Sequence, residues 1–414
     1  MISFILPTKN NLPYVKLAIA SIRKFYINDE IVLLDDNSTD ETDKWVSEIY
    51  DPNLTYYKND GRQVGHTVLY DIGINLCKHE VFSIFHADMI CGPNYVENIL
   101  KHLKRNTVVC ATRIEPPLHP PGKEKIIKNF GIYPEDLNLD QFFSYCSQAQ
   151  QELSNKDITT KGIFAPWAMY KEDFIKIGGH DKFFSPFPYE DSDIFQRFIL
   201  AGYDIKQSRD AFVYHFTCRG HRWTEQVKKD DHFYKLCCIK NMYHFIRKWG
   251  NWIENNDLCY PIIKPLYNIG FVVSNCNFSV LSTLEPWCST LYTDCNEFEN
   301  YITQTQPGTP FDLKKRVQFI SSDPDNDVIV RFDALKLNNE NFSFLIELPK
   351  ILEESGEEGL MEFDIFSLMI KKLTRLESLL INNSGDYYNS KLICIPSSDK
   401  FMTDELFKVF QNTK

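Results

Sequence analysis

Along the first hundred residues, short apolar runs with polar boundaries alternate with stretches whose apolar residues recur every three or four positions. MISFILPTKN reads as a strand ending in a Pro-Thr turn, and Val15, Ala18, Ile19 and Ile22 share one face of a helix over 12–25. EIVLLDDNSTD repeats the unit: a second strand, then Ser38 to Glu41 as a capping box before a helix over 42–50. LTYYKN predicts a short strand, HTVLYDIGINLC a helix, and EVFSIFHADM a strand carrying His86 and Asp88. Strands alternating with helices at this spacing predict a parallel sheet.

Between 116 and 155 the PPLHPPG stretch must be loop, and a helical pattern ending in QAQQEL reads as an insertion near the acceptor side of a site. GIFAPWAMYKEDFIKIGGHD predicts a strand, a helix and a Gly-Gly stop. YEDSDIFQRFILAGYDI then places a helix directly after Glu190 and Asp191, with Ile194, Phe195, Phe198 and Ile199 as its buried stripe. Another amphipathic helix covers 225–249. Beyond Gly250 the composition changes, which divides the chain into 1–250 and 251–414. In the second part IGFVVSN, STLYTD, DVIVRFDAL and MEFDIF read as strands, with helices at FSFLIELPKILEES and SLMIKKLTRLESLLI, a smaller α/β or α+β domain.

A length of 414 residues suits two or three domains, and 43% hydrophobic content allows each a core. Residues 251–414 hold 24 acidic and 14 basic side chains, net −10 of the chain's −11. That surface argues against nucleic acid or anionic lipid as a partner, and suits acceptor presentation, a protein partner or self-association. The apolar stretches are broken by Asn268, Asn275 and Asn277, short of the roughly 18 to 20 residues a membrane helix needs. Twelve scattered cysteines read as reduced thiols, and with no signal segment ahead of the first strand the expectation is a soluble, cytoplasmic protein.

Three groups of chemistry-bearing residues follow predicted strands or open a helix: Asp35-Asp36, His86-Ala87-Asp88, and Glu190-Asp191 with His215 further on. In open α/β sheets ligands collect at the carboxyl ends of strands. Asp88 and His215, with His86, suit a hard divalent cation that keeps positions open for phosphate oxygens. Asp191 at a helix N-terminus has its charged form favoured, as a general base needs, and Glu190 beside it would orient an acceptor. Plain structural readings stand beside these. Asp35, Asp36 and Ser38 could cap a helix, His86 could be a hydrogen-bonded core histidine, Trp167 could be core, and Glu190 and Asp193 could simply open a helix.

Taken together, SFILPTKN, IVLLDDNSTDET, FHADM, GGHDKFF, YEDSDIFQRFILAGYDI and VYHF make residues 1 to about 225 resemble family 2 glycosyltransferases of the GT-A fold. The resemblance implies a Rossmann-like, nucleotide-sugar-binding α/β domain followed by the smaller one. It assigns the donor to Thr8, Asp35, Asp36, Arg62, Ala87 and Asp88, with Asp36 reading the base. It assigns the metal, Mn2+ or Mg2+, to Asp88 and His215 with His86, the base to Asp191, and the acceptor or sugar pocket to Trp167 and Glu190. His86 replaces an acid of the family motif, which predicts weaker metal binding. Tyr70-Asp71 replaces the family's Arg-Asn pair, leaving Arg62 as a substitute contact.

The implied activity is inverting, metal-dependent transfer of a sugar from a nucleotide sugar, by default a UDP-sugar, to a hydroxyl of a glycan or other acceptor. A carbohydrate-binding scaffold on a degenerate GT-A fold and a nucleotidyltransferase are the alternatives. The second needs a basic glycine-rich loop that LPTKNNLP lacks, and no Gly-x-Gly-x-x-Gly follows the first strand to suggest a dinucleotide enzyme. Arg219, Arg222 and Lys228 read as a loop closing on the diphosphate. His232, Cys237, Cys238 and His244 make a poor zinc set, because their spacing fits no usual site.

Overall fold

The computed structural model describes residues 1–375 except 155, 157, 218 and 220–231, together with the backbone of Leu380–Ile381 and Tyr387–Tyr388. Arg222 and Lys228 therefore lie outside the described residues. The first half builds a ten-stranded sheet from β1 (Ser3–Thr8), β2 (Glu30–Asp35), β3 (Leu54–Lys58), β4 (Val81–Ile84), β5 (Met89–Cys91), β6 (Thr107–Glu115), β7 (Lys125–Ile127), β8 (Thr159–Thr160), β9 (Trp167–Tyr170) and β10 (Asp204–His215). Its main order is β3-β2-β1-β4-β9-β6-β10-β5. The intervening helices are α1 (Leu12–Phe25), α2 (Thr42–Glu48), α3 (Gly65–Leu76), α4 (Tyr95–Leu100), α5 (Leu139–Leu153), α6 (Lys171–Lys176), α7 (Glu190–Leu200) and α8 (His232–Trp249).

The first four strands are parallel, with Thr8 opposite Asp35 and Ile5 opposite Ile84. From β1 the chain steps out to β2 and β3, then returns to the other side of β1 as β4. This reversal of winding opens a crevice beyond the carboxyl ends of β1 and β4, the usual ligand position of such sheets. The sheet is nevertheless mixed, which corrects the parallel expectation: β9 is antiparallel to β4 and β6, and β5 is antiparallel to β10. After β6 the chain passes through β7, α5 and β8, and β9 then enters the sheet between β4 and β6, antiparallel to both. An antiparallel neighbour needs no crossover helix.

Two local expectations also change. The strand expected over EVFSIFHADM ends at Ile84, and His86 to Asp88 form a turn closed by Met89 N–H donating to the His86 carbonyl at 3.1 Å. That turn lifts both side chains off the strand and over the crevice. The capping box ahead of α2 is absent: the cap position is Glu41 without a side-chain bond, while Asp40 accepts from Thr42 N and the Ser38 hydroxyl accepts from Asn10 N. Ser38 is spent on joining the β1 and β2 loops.

Buried Ile, Val, Leu and Phe from β1, β2, β4 and β6 make the main core with one face of α1, whose start is set by Pro13. Helix α7 buries Ile194, Phe195 and Phe198, and the fully buried Arg197 pairs with Asp193 at 2.8 Å. Helix α8 ties the structure together. Lys248 Nζ lies 2.8 Å from Asp181 and 2.7 Å from Asp193, and Arg247 meets Glu285 at 2.6 Å. Glu285 also meets Arg316 at 2.5 Å. His244 Nε2 is 3.0 Å from Asp181, so this histidine belongs to the same ionic network. Among the described residues no zinc cluster forms around it.

The second half has its own six-stranded sheet, built from β11 (Ile269–Ser274), β12 (Thr290–Thr293), β13 (Val317–Phe319), β14 (Val328–Asp333), β15 (Gly359–Phe363) and β16 (Phe366–Ile370) in the order β13-β12-β11-β14-β16-β15. Its helices are α9 (Phe278–Leu284), α10 (Phe298–Thr305), α11 (Leu313–Arg316) and α12 (Asn339–Ser355). The first four strands are parallel and the last two form an antiparallel hairpin, which makes this an α/β unit with a separate core. The helix expected at SLMIKKLTRLESLLI is contradicted where it starts. Phe366, Leu368 and Ile370 are buried while Met369 is exposed, a period of two that pairs with β14. Residues 376–379 of that stretch lie outside the described residues.

Candidate active site

A cavity of about 650 Å³ lies over the crevice and takes residues from the ends of β1, β2, β4, β6 and β10 and the start of α7, a size ordinary for a small-molecule site. Thr8, Asp36, Ala87, Asp88, Trp167, Glu190, Asp191, His86 and His215 all line it. Asp35 and Arg62, assigned to the donor above, do not. The Asp35 carboxylate is buried beneath, accepting from Ser38 N at 2.7 Å and from the Tyr56 hydroxyl at 2.8 Å. Gln63, rather than its neighbour Arg62, reaches the cavity.

Asp36 works locally as well as facing the cavity. Its oxygens accept from Gly65 N at 2.7 Å, Val64 N at 3.0 Å and Asn59 Nδ2 at 2.8 Å, so it holds the N-terminus of α3. Gly65 is required there: its φ is +74°, and a Cβ would stand 2.0 Å from the Pro186 carbonyl oxygen. Thr8 Oγ1, Asn11 Nδ2 and Thr217 Oγ1 are buried without hydrogen-bond partners among the described residues, all three on the cavity wall. Unsatisfied buried polar atoms on residues lining one cavity are what a polar ligand would complete.

Across the crevice, single ligand atoms of His86, Asp88 and His215 fall within 4.8 Å of one another and could hold a metal ion. His215 Nε2 is 3.6 Å from Asp88 Oδ1, while its Nδ1 is 2.9 Å from Glu115 Oε1. A histidine tied through one nitrogen to a carboxylate presents the other as a ligand, the usual arrangement behind metal-binding imidazoles. The donor set therefore fits a divalent cation. Burial opposes ionisation of Glu115, but His215, Arg113 and Lys125 together hold it well below the usual carboxylate range. Asp88 Oδ2 accepts from Arg219 N at 3.1 Å. The Arg219 guanidinium sits over the Tyr133 ring, with Nη2 3.4 Å from the Ile132 carbonyl, rather than on the cavity wall. These contacts hold Arg219 against the 132–133 segment.

Asp191 and Glu190 occupy the first turn of α7, where amides and dipole favour negative charge. Tyr189 just before them is left-handed at φ +82° and is braced edge-on by Trp252 at 4.8 Å; such strain is common at working sites. Glu190 is paired with His66 at 2.5 Å. Although burial alone would raise it, the His66 charge brings the Glu190 carboxyl down to about 2. Trp167 touches the cavity but is otherwise core, 3% exposed and packed edge-on against Phe82, Phe195 and Phe198.

Glu115, His66 and Trp252 were not singled out in the sequence. Glu115 closes TVVCATRIE, a buried run ending in an acid, the same signal that marks Asp36. His66 carries no local mark, because its partner is 124 residues away. Asp71, which departs from the family pattern, accepts from His180 N at 3.1 Å and meets His180 Nδ1 at 2.7 Å, joining α3 to the Gly-Gly loop.

Residues 3–177 match the family described as glycosyl transferase family 2, and residues 141–221 match the N-terminal domain of galactosyltransferase. No curated protein sequence matches the chain. Among solved structures, GalNAc-T7 with UDP, GalNAc and Mn2+ is similar at TM-score 0.44 and 14% identity, over 60% of this chain and 48% of that one. The mannosyltransferase PcManGT from Pyrobaculum calidifontis in complex with GDP-Man and Mn2+ is similar at TM-score 0.37 and 16% identity, over 58% and 61%. The match thus spans about half to three fifths of those chains.

Proposed function

We infer that this chain, whose residues 3–177 match glycosyl transferase family 2, moves one sugar from a nucleotide sugar to an acceptor hydroxyl with inversion at the anomeric carbon. The observation that carries the reading is the meeting, in one cavity at the β1/β4 crevice, of Asp36, the His86-Asp88-His215 cluster and Asp191 on the facing helix. In this reading Asp36, on the cavity wall, contacts the nucleotide base, and the unsatisfied Thr8 and Asn11 atoms suit further donor contacts. A divalent cation, Mn2+ or Mg2+, held by His86, Asp88 and His215 would offset the charge of the diphosphate leaving group. Asp191 takes the proton of the attacking hydroxyl, and Glu190 binds the acceptor beside it. A UDP-sugar is the default donor and a glycan the default acceptor.

We assign catalysis to residues 1–250 and an accessory role to 251–414, with Trp252 and Ile253 of the connecting segment completing the cavity wall. Among the described residues no helix is long and apolar enough to cross a membrane. The test is release of nucleotide from a panel of UDP-, GDP- and other nucleotide sugars in Mn2+ or Mg2+. Turnover of one donor, abolished by EDTA and by Asp88→Ala, is expected; full activity in EDTA refutes the metal role.

A further inference from the structure

The cavity contains an ion pair that joins its donor and acceptor sides. His66, the second residue of α3, places Nε2 2.5 Å from Oε1 of Glu190, the first residue of α7. The His66 side chain is 21% exposed and that of Glu190 8%. Its other oxygen, Glu190 Oε2, is buried and has no hydrogen-bond partner among the described residues, although the residue lines the cavity. A carboxylate oxygen shielded from solvent without a donor is costly, so this atom is a place for a ligand hydroxyl.

His66 is itself firmly placed. The backbone before it is held by Asp36 through Val64 N and Gly65 N, and Gly65 packs on Pro186. Its ring is stacked at 17° on Phe187 and tilted against Tyr70. Taking the reading above as its basis, we propose that His66 is a positioning residue: its side chain holds Glu190 by Oε1 so that Oε2 accepts a hydrogen bond from an acceptor-sugar hydroxyl other than the attacking one. The acceptor class is a polyol that offers one hydroxyl to Asp191 and a second to Glu190.

The groups facing His66 favour its charged form. Burial pushes the imidazole down, but Glu190 and Asp191 of α7 and Asp36 after β2 outweigh it and raise it overall. Tyr70 lies beside it on α3, and His180 acts on Glu190 from the Gly-Gly loop. A raised histidine is charged below its folded pKa and loses that charge as pH rises through it, so the clamp holds below that value and loosens above it.

Two measurements on the full chain decide this. Selectively 13C-labelled histidine is titrated by NMR in wild type and Glu190→Gln; the clamp requires the His66 resonance, identified by its loss in His66→Gln, to titrate about 1 to 3 units lower in the variant. An unmoved titration overturns the clamp. With p-nitrophenyl pyranosides as acceptors, wild-type acceptor KM should climb as pH rises through the His66 titration, whereas in His66→Gln it should be about tenfold higher and flat with pH. Equal KM profiles in the two proteins overturn the acceptor role even if the NMR coupling is present. A wild-type protein that turns over no nucleotide sugar overturns glycosyl transfer and the acceptor role together, while the NMR result still decides the pair.

Discussion

Glu115→Gln changes the charge behind the candidate metal site without changing its size. In the folded chain Glu115 Oε1 accepts from His215 Nδ1 at 2.9 Å and Arg113 Nε at 3.1 Å, and Oε2 accepts from Lys125 Nζ at 2.9 Å. All three neighbours are donors. A glutamine amide offers one oxygen, so its NH2 must face a donor, and His215 loses the negative partner that makes Nε2 a good ligand. Removing such a partner typically costs 10- to 100-fold in metal affinity, or about 1.4 to 2.8 kcal/mol. Mn2+ titration, followed by the EPR signal of free ion, should show this loss in Glu115→Gln and a larger one in Asp88→Ala. Wild-type affinity in Glu115→Gln, with Asp88→Ala still impaired, would refute the orienting role of Glu115.

Lys248→Met leaves Asp181 without its lysine and removes one of the partners of Asp193, both buried, and should destabilise the protein by about 3 to 5 kcal/mol in urea unfolding; a loss below 1 kcal/mol would mean these charges are solvated. Glu190 and Glu285 are each lowered from 4.5 to about 2 by His66 and by Arg247 with Arg316, against the opposing effect of burial. Their stabilisation is present above the unfolded value and lost as pH falls from about 4.5 towards 2. Glu285→Gln should be less stable at neutral pH and show a shallower acid slope in thermal melts; an unchanged slope contradicts this. Asp36→Asn should weaken nucleotide binding by about 1 to 3 kcal/mol in calorimetry. Asparagine keeps one acceptor oxygen for Val64 N or Gly65 N where alanine keeps none, and its NH2 must face the other donor.

Much of this was legible because burial repeats with a simple period. The runs ending at Thr8, Asp35 and Ile84 are apolar on both faces, as covered parallel strands must be, and the stripe Ile194, Phe195, Phe198 gave α7 with Glu190 and Asp191 at its start. Strand direction was not legible: nothing in WAMY distinguishes a parallel from an antiparallel neighbour. At SLMIKK an apolar run served either period, and pairing with Val328–Asp333 selected the strand. Cavity-lining residues were visible where an acid or imidazole comes at or just after the end of a buried strand, as with Asp36, Asp88 and His215. They were hidden where a side chain is held by a partner far along the chain, as for His66 with Glu190. Asp35 shows the converse: a sequence mark beside Asp36 that packing turns to structure.

Proton NMR of the first-formed product, with wild type and Asp191→Asn side by side on a nucleotide-sugar donor, tests glycosyl transfer most directly. A single displacement with Asp191 as base predicts inverted anomeric configuration. Asp191→Asn should keep its fold and donor affinity while transfer falls by about 10² to 10⁴. A retained configuration, near-normal turnover in Asp191→Asn, or no turnover of any nucleotide sugar by the wild type would contradict it.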